Sequence, residues 1–140
     1  MAEAFTLPAR CVVSGRAAGQ ALVADATLSF WGEVDPGSGK VISAGHPLEG
    51  ESLGGKVLVI RSTRGSSATP LVLQLARLEG NAPAALVNVE VDSLAVLGCI
   101  VNGIPMVTVE AEDAFGRIRT GDYVEVDAEA GLVRIRPSQP

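Results

Sequence analysis

The chain has 140 residues, a formal net charge of −5 and an isoelectric point near 4.8, so it lacks the Lys/Arg surplus with which a protein displaces counterions from nucleic acid. Apolar residues make up 47% and mean hydropathy is +0.32, yet Gly and charged residues break every apolar stretch short of the roughly 20 residues a membrane span requires. This length fits one domain whose core needs no metal or disulfide staples, and the high hydropathy points either to an Ala- and Val-rich core or to a surface covered by another chain.

The first five residues carry neither the basic region nor the apolar core of a secretory signal, which predicts a cytoplasmic protein. Residues 1–9 read as an N-terminal extension, 10–136 as the domain and 137–140 as a tail. Residues 10–14 and 20–24 are short β-branched or apolar runs, with 15–19 as a turn between them, and 28–31 continue the β pattern. Residues 35–40 are turn chemistry; the Gly37-Ser38-Gly39-Lys40 run inside them fails as a phosphate loop, because Val41 stands where Ser or Thr is required. Residues 46–53 form an irregular connection. Residues 57–60 predict a buried strand, 70–79 a helix with Pro70 in its first turn and Gly80 as its stop, and 84–89 a second strand, together a right-handed βαβ unit. Residues 92–101 predict a short helix closed by Asn102-Gly103, 105–109 a third parallel strand, and 114–116 a turn or short helix. Residues 123–127 and 132–135 alternate strictly around 128–131, the pattern of a hairpin with one buried face. The fold class is α/β, a parallel βαβαβ core flanked by antiparallel strands.

The segment with the most chemistry is the turn at 61–69, which holds three serines, two threonines and two arginines between a strand and a helix. Such a turn aims free backbone N–H groups and the positive end of a helix dipole at one spot, as an anionic ligand needs. The plainer alternative is that Ser67 or Thr69 only caps the helix. Cys11 and Cys99 have no CxxC spacing and read as small buried hydrophobes, and His46 is the single histidine. A metal site built from this chain alone is therefore not expected, and any metal chemistry belongs to another chain. His46 is either a structural hydrogen-bonder or a loop residue with a function. Phe30 and Trp31 read as core or interface aromatics, and Glu49, Glu51, Glu90 and Asp92 as solvated loop charges.

The ordered set Gly15-Arg16-Ala17-Ala18-Gly19, Leu28-Ser29-Phe30-Trp31-Gly32, His46-Pro47-Leu48-Glu49-Gly50-Glu51 and Arg64-Gly65-Ser66-Ser67 resembles the small swivel subunit of the aconitase X family. The resemblance continues in Ala82-Pro83-Ala84-Ala85 and Leu94-Ala95-Val96-Leu97-Gly98 and covers roughly residues 10 to 135. Two places depart from the family pattern: Glu33, where a second glycine usually follows Trp-Gly, and Ala68-Thr69-Pro70 after the serine pair. The resemblance implies a swivelling β/β/α fold and a hydro-lyase made of two subunits, with an iron or iron–sulfur centre on an aconitase X-type large subunit and no cofactor on this chain alone. It implies a small hydroxy-acid substrate, cis-3-hydroxy-L-proline as first choice and 5-phosphomevalonate as second. By the same resemblance Ser66 is the base, Ser67 and the N–H groups around Gly65 hold the substrate carboxylate or the alkoxide, and Arg64 supplies positive charge; His46 is a further candidate for binding. The rival reading is a non-catalytic carrier or interaction domain, which in its phosphohistidine form needs a histidine on the active loop.

Overall fold

Four consecutive residues of the run Val57–Ile60 are fully buried, as are Ala85–Val87, the signature of strands covered on both faces. In the computed structural model, which describes residues 3–138, they form the centre of a mixed sheet. The elements in chain order are β1 (Phe5–Pro8), β2 (Arg10–Val13), β3 (Arg16–Leu28), α1 (Phe30–Glu33), β4 (Val57–Thr63), α2 (Thr69–Leu78), β5 (Ala85–Asn88), α3 (Ser93–Asn102), β6 (Met106–Thr108), α4 (Ala111–Gly116), β7 (Tyr123–Asp127) and β8 (Leu132–Arg136). The spatial order is β1-β8-β7-β3-β4-β5-β6-β2. Pairs β3–β4, β4–β5 and β5–β6 are parallel, and all other pairs are antiparallel.

The long strand β3 organises both halves. Its first residues, Arg16–Gln20, pair with β7, and Ala21–Leu28 pair in parallel with β4. One strand thus belongs to two sheets, and the antiparallel sheet packs over the parallel one: Leu7, Val124, Val126, Val133 and Ile135 share a core with Val57, Val59, Ala85, Val87 and Val107. On the other face Leu22, Leu58, Ile60, Leu86 and Met106 pack beneath Val72 and Leu73 of α2 and Ala95 and Cys99 of α3. The result is three layers, β/β/α.

Several expectations change here. The turn predicted at 15–19 is the start of β3, because Gly19 serves close approach and not reversal: a Cβ there would press into the Gly55 carbonyl oxygen. The β pattern at 28–31 ends at Leu28, and Phe30, 2% exposed, opens a short kinked element in which Trp31, 62% exposed, and Gly32 leave helical geometry. The N-terminal extension contains β1, which completes the antiparallel sheet against β8 from Phe5↔Ile135 to Pro8↔Leu132. Cys11 is exposed on edge strand β2, whereas Cys99 is buried and its thiol is pushed up to about 12 by desolvation. The helices match their sequence signals: α2 has Pro70 in its first turn, and α3 is capped by Asp92 and closed by Gly103 at φ 68°.

The fit at Gly19 yields a stability prediction. Gly19→Ala forces a side chain into a backbone atom that cannot swing aside, so urea unfolding of the chain should show a loss of about 2 kcal/mol. A midpoint equal to the parent's would show that β3 and the 54–56 segment do not approach as described.

Candidate functional site

The parallel strands β4 and β5 end beside the first turns of α2 and α3, the edge where open α/β sheets gather ligand-binding groups. The turn from Arg64 to Ala68 lies there, tied down at its start by the Arg64 N–H to the Leu28 carbonyl, 3.0 Å. Thr63 Oγ1 donates to Asp92 Oδ2 at 3.0 Å, and Asp92 also accepts from the Leu94 N–H at the start of α3. A Cβ on Gly65 would enter the Asp92 carboxylate and come within 2.7 Å of Leu94 Cβ. Asp92, expected as a solvated charge, is therefore a helix cap and the wall against which Gly65 fits; the Asp before an apolar helical run was the signal for it.

Beyond Gly65 the chain winds into α2. The Ser66 N–H donates to Thr69 Oγ1 (3.1 Å), the Thr69 N–H to the Ser66 carbonyl (3.0 Å), and the Ala68 N–H to Ser66 Oγ (3.2 Å). The N–H groups of Gly65 and Ser67 have no acceptor among the described residues. Ser66 is half-buried, and Ser67 and Arg64 are exposed. Neither Ser67 nor Thr69 caps α2, whose N-cap is Ala68 with no side-chain cap bond; Thr69 instead holds the turn, while Ser66 Oγ receives an N–H at the positive end of the helix. An N–H bond to oxygen favours the charged alkoxide over the neutral hydroxyl.

Arg64 Nη2 donates to Glu33 Oε1 at 2.8 Å, and the same oxygen accepts the Ser29 N–H at 2.7 Å. The Glu33 side chain is 16% exposed against 61% for Arg64. Burial alone would raise the Glu33 carboxyl, but the Ser29 N–H, the Arg64 guanidinium and the Ser43 hydroxyl outweigh it, and the group lies below the usual glutamate range. Glu33 is the polar residue of this site whose role local sequence patterning did not reveal, because its partner lies 31 positions away.

His46 makes no hydrogen bond to the turn. Its Nδ1 accepts the Leu48 N–H at 3.0 Å, which leaves the proton on Nε2 to donate to the Thr27 carbonyl at 2.8 Å. The Nε2 bond pins the 43–49 connection to the end of β3, and the Nδ1 bond folds the connection back on itself at Leu48. A cavity of about 390 Å³ lies at the opposite end of β3, lined among others by Arg16, Glu125, Asp127 and Arg134; Arg16 pairs with Asp127 at 3.5 Å and Glu125 with Arg136 beside the cavity. Among the described residues no three His, Cys, Asp or Glu side chains stand close enough to hold a metal ion, so the chain's own residues do not fit an iron or iron–sulfur centre. No helix of the described residues is long and apolar enough to cross a membrane.

A β/β/α domain that carries a serine-bearing turn, with unpaired N–H groups and an exposed arginine, at the end of its parallel strands is the class this geometry defines. The family model described as the aconitase X swivel domain matches residues 6–135. A protein named phosphomevalonate dehydratase small subunit from Methanothermobacter thermautotrophicus is 42% identical over 126 residues, 89% of this chain and 95% of that one. Its namesake from Methanocella arvoryzae is 39% identical over 124 residues, 89% and 94% of the two chains. The crystal structure of Thermococcus kodakaraensis aconitase X in its holo-form contains a chain that superposes with a TM-score of 0.85 at 34% identity, covering 94% of this chain and 98% of that one. The chain belongs to the aconitase X swivel-domain family, and it is a hydro-lyase subunit of that type.

The depressed Glu33 carboxyl sets a pH dependence. A carboxylate lowered by folding stabilises the native state fully above its unfolded value, and that contribution disappears as pH falls through the folded value. Glu33→Gln should therefore flatten the loss of stability as pH drops below 4.5, the ordinary glutamate value, measured as urea midpoints at successive pH. Parallel curves for parent and variant would show that Glu33 is not held as described.

Proposed function

We propose that the chain is the small subunit of a phosphomevalonate dehydratase that works in the cytoplasm, closing over an aconitase-like large subunit and supplying Ser66 as the base. The observation that carries this reading is Ser66 Oγ held by the Ala68 N–H at the start of α2, with the Gly65 and Ser67 N–H groups unused beside it. The substrate follows the names of the relatives; cis-3-hydroxy-L-proline, the first choice from sequence, finds no support among them. The iron or iron–sulfur centre belongs, on this reading, to the large subunit.

Dehydration of a β-hydroxy acid removes a proton from the carbon next to the carboxylate and hydroxide from the next carbon. Ser66, as alkoxide, takes the carbon-bound proton. Its basic form is costly in water and cheaper here, because the Ala68 N–H and the aligned peptides of α2 offset the negative charge once the partner excludes solvent. The free N–H groups of Gly65 and Ser67 receive carboxylate oxygens as charge builds on them, and Arg64 binds an anionic end of the substrate. A phosphohistidine carrier is disfavoured: no histidine lies on the turn, and both nitrogens of His46 are in use.

Reconstituted with its large subunit and supplied with 5-phosphomevalonate, the Ser66→Ala complex should lose about 10²–10⁴-fold in turnover with a modest change in KM. Co-purification confirms assembly. Near-normal turnover in an assembled variant would make this chain a lid or scaffold.

A further inference from the structure

We propose that Glu33 is a positioning residue for Arg64, fixing its guanidinium at the mouth of the Ser66 turn with the remaining N–H groups free for the substrate anion. The inference rests on the reading that this turn faces substrate. Arg64 is a long side chain, 61% exposed, and left to itself it would sample many rotamers. Glu33 removes that freedom because it is itself immobile: it is 16% exposed, and its Oε1 is anchored by the Ser29 N–H at 2.7 Å before it meets Arg64 Nη2 at 2.8 Å. The contact is through a single nitrogen. Arg64 Nε and Nη1 make no hydrogen bond among the described residues, so the pair does not consume the donors a phosphate or carboxylate would use. Other arginines near this edge are differently employed: Arg61 is paired with Asp25 at 2.6 Å and Glu90 at 3.8 Å, and it lies over the Phe115 ring. A guanidinium fixed before substrate arrives spares binding the cost of ordering it.

The test is a double-mutant cycle on the assembled enzyme with 5-phosphomevalonate as substrate. Glu33→Ala should raise KM about 2- to 10-fold, the cost of immobilising one rotamer-rich side chain, with turnover within about twofold of the parent, and Arg64→Ala should raise KM further. The double variant should match Arg64→Ala alone, since a residue that acts through Arg64 has nothing to act on once it is gone. Glu33→Gln keeps an acceptor for both the Ser29 N–H and Arg64, and should restore much of the lost affinity. Thermal midpoints and co-purification report folding and assembly; should Glu33→Ala not assemble, Glu33→Asp, one methylene too short to hold both partners, is read in the same cycle, where a raised KM that vanishes in the Arg64→Ala background supports the proposal and an unchanged KM overturns it. A raised KM for Arg64→Ala with an unchanged KM for Glu33→Ala, or with additive effects, overturns the positioning role alone. An unchanged KM for Arg64→Ala overturns the substrate-facing reading of the turn and the positioning role with it.

Discussion

Gly65 passes so close to the Asp92 carboxylate that no side chain fits between them, and the same carboxylate receives the Thr63 hydroxyl and caps α3. This contact ties together the end of β4, the serine turn and the start of α3. Everything else about the site follows from it. With Gly65 pressed to the wall and the Arg64 N–H bound to Leu28, the chain enters α2 along one path, so Ser66 falls where the Ala68 N–H meets its oxygen. Any larger residue at 65 would lift the turn off α3 and carry Ser66 with it.

The fold delivers this turn on a rigid base. Strands buried on both faces, between an antiparallel layer and a helical layer, leave β4 little room to shift, and short loops at its end inherit that rigidity. The turn nevertheless stays exposed at Arg64 and Ser67. The turn has unused N–H groups, an exposed arginine and a half-buried serine, and among the described residues no side-chain cluster gathers for a metal. The outer faces of the helices are apolar as well: Leu71, Leu75 and Leu78 on α2 and Leu97, Ile100 and Val101 on α3 are each at least 45% exposed. A chain with such a surface is chemically consistent with work done in company.

Much of this was legible in the sequence, and the exceptions have physical causes. The βαβ units, the α3 stop at Asn102-Gly103 and the 123–135 hairpin announce themselves through local period and local turn chemistry. The run 15–19 misled because its small residues suit a turn as well as they suit a strand squeezed against Gly55; only the tertiary neighbour decides. Phe30 reads as strand from its β-forming company, yet it is buried where the chain kinks away from the sheet at Trp31 and Gly32. In the site, Ser66, Ser67, Gly65 and Arg64 were found by residue type and position before a helix. Glu33 was visible as a departure from the family pattern, but its role was not, since an ion pair across 31 positions leaves no periodic trace. Asp92 was misread although its position before an apolar helix is a cap signal.

The central claim is that Ser66 moves a proton at carbon, and solvent isotope exchange reads that step apart from the rest of the cycle. The assembled enzyme is incubated in D2O with 5-phosphomevalonate, and deuterium at the carbon beside the carboxylate in recovered substrate is followed by NMR. The account predicts exchange in the parent complex and its near-complete loss in an equally well assembled Ser66→Ala complex. Exchange at the parent rate in that variant would place the base on another residue and contradict the account.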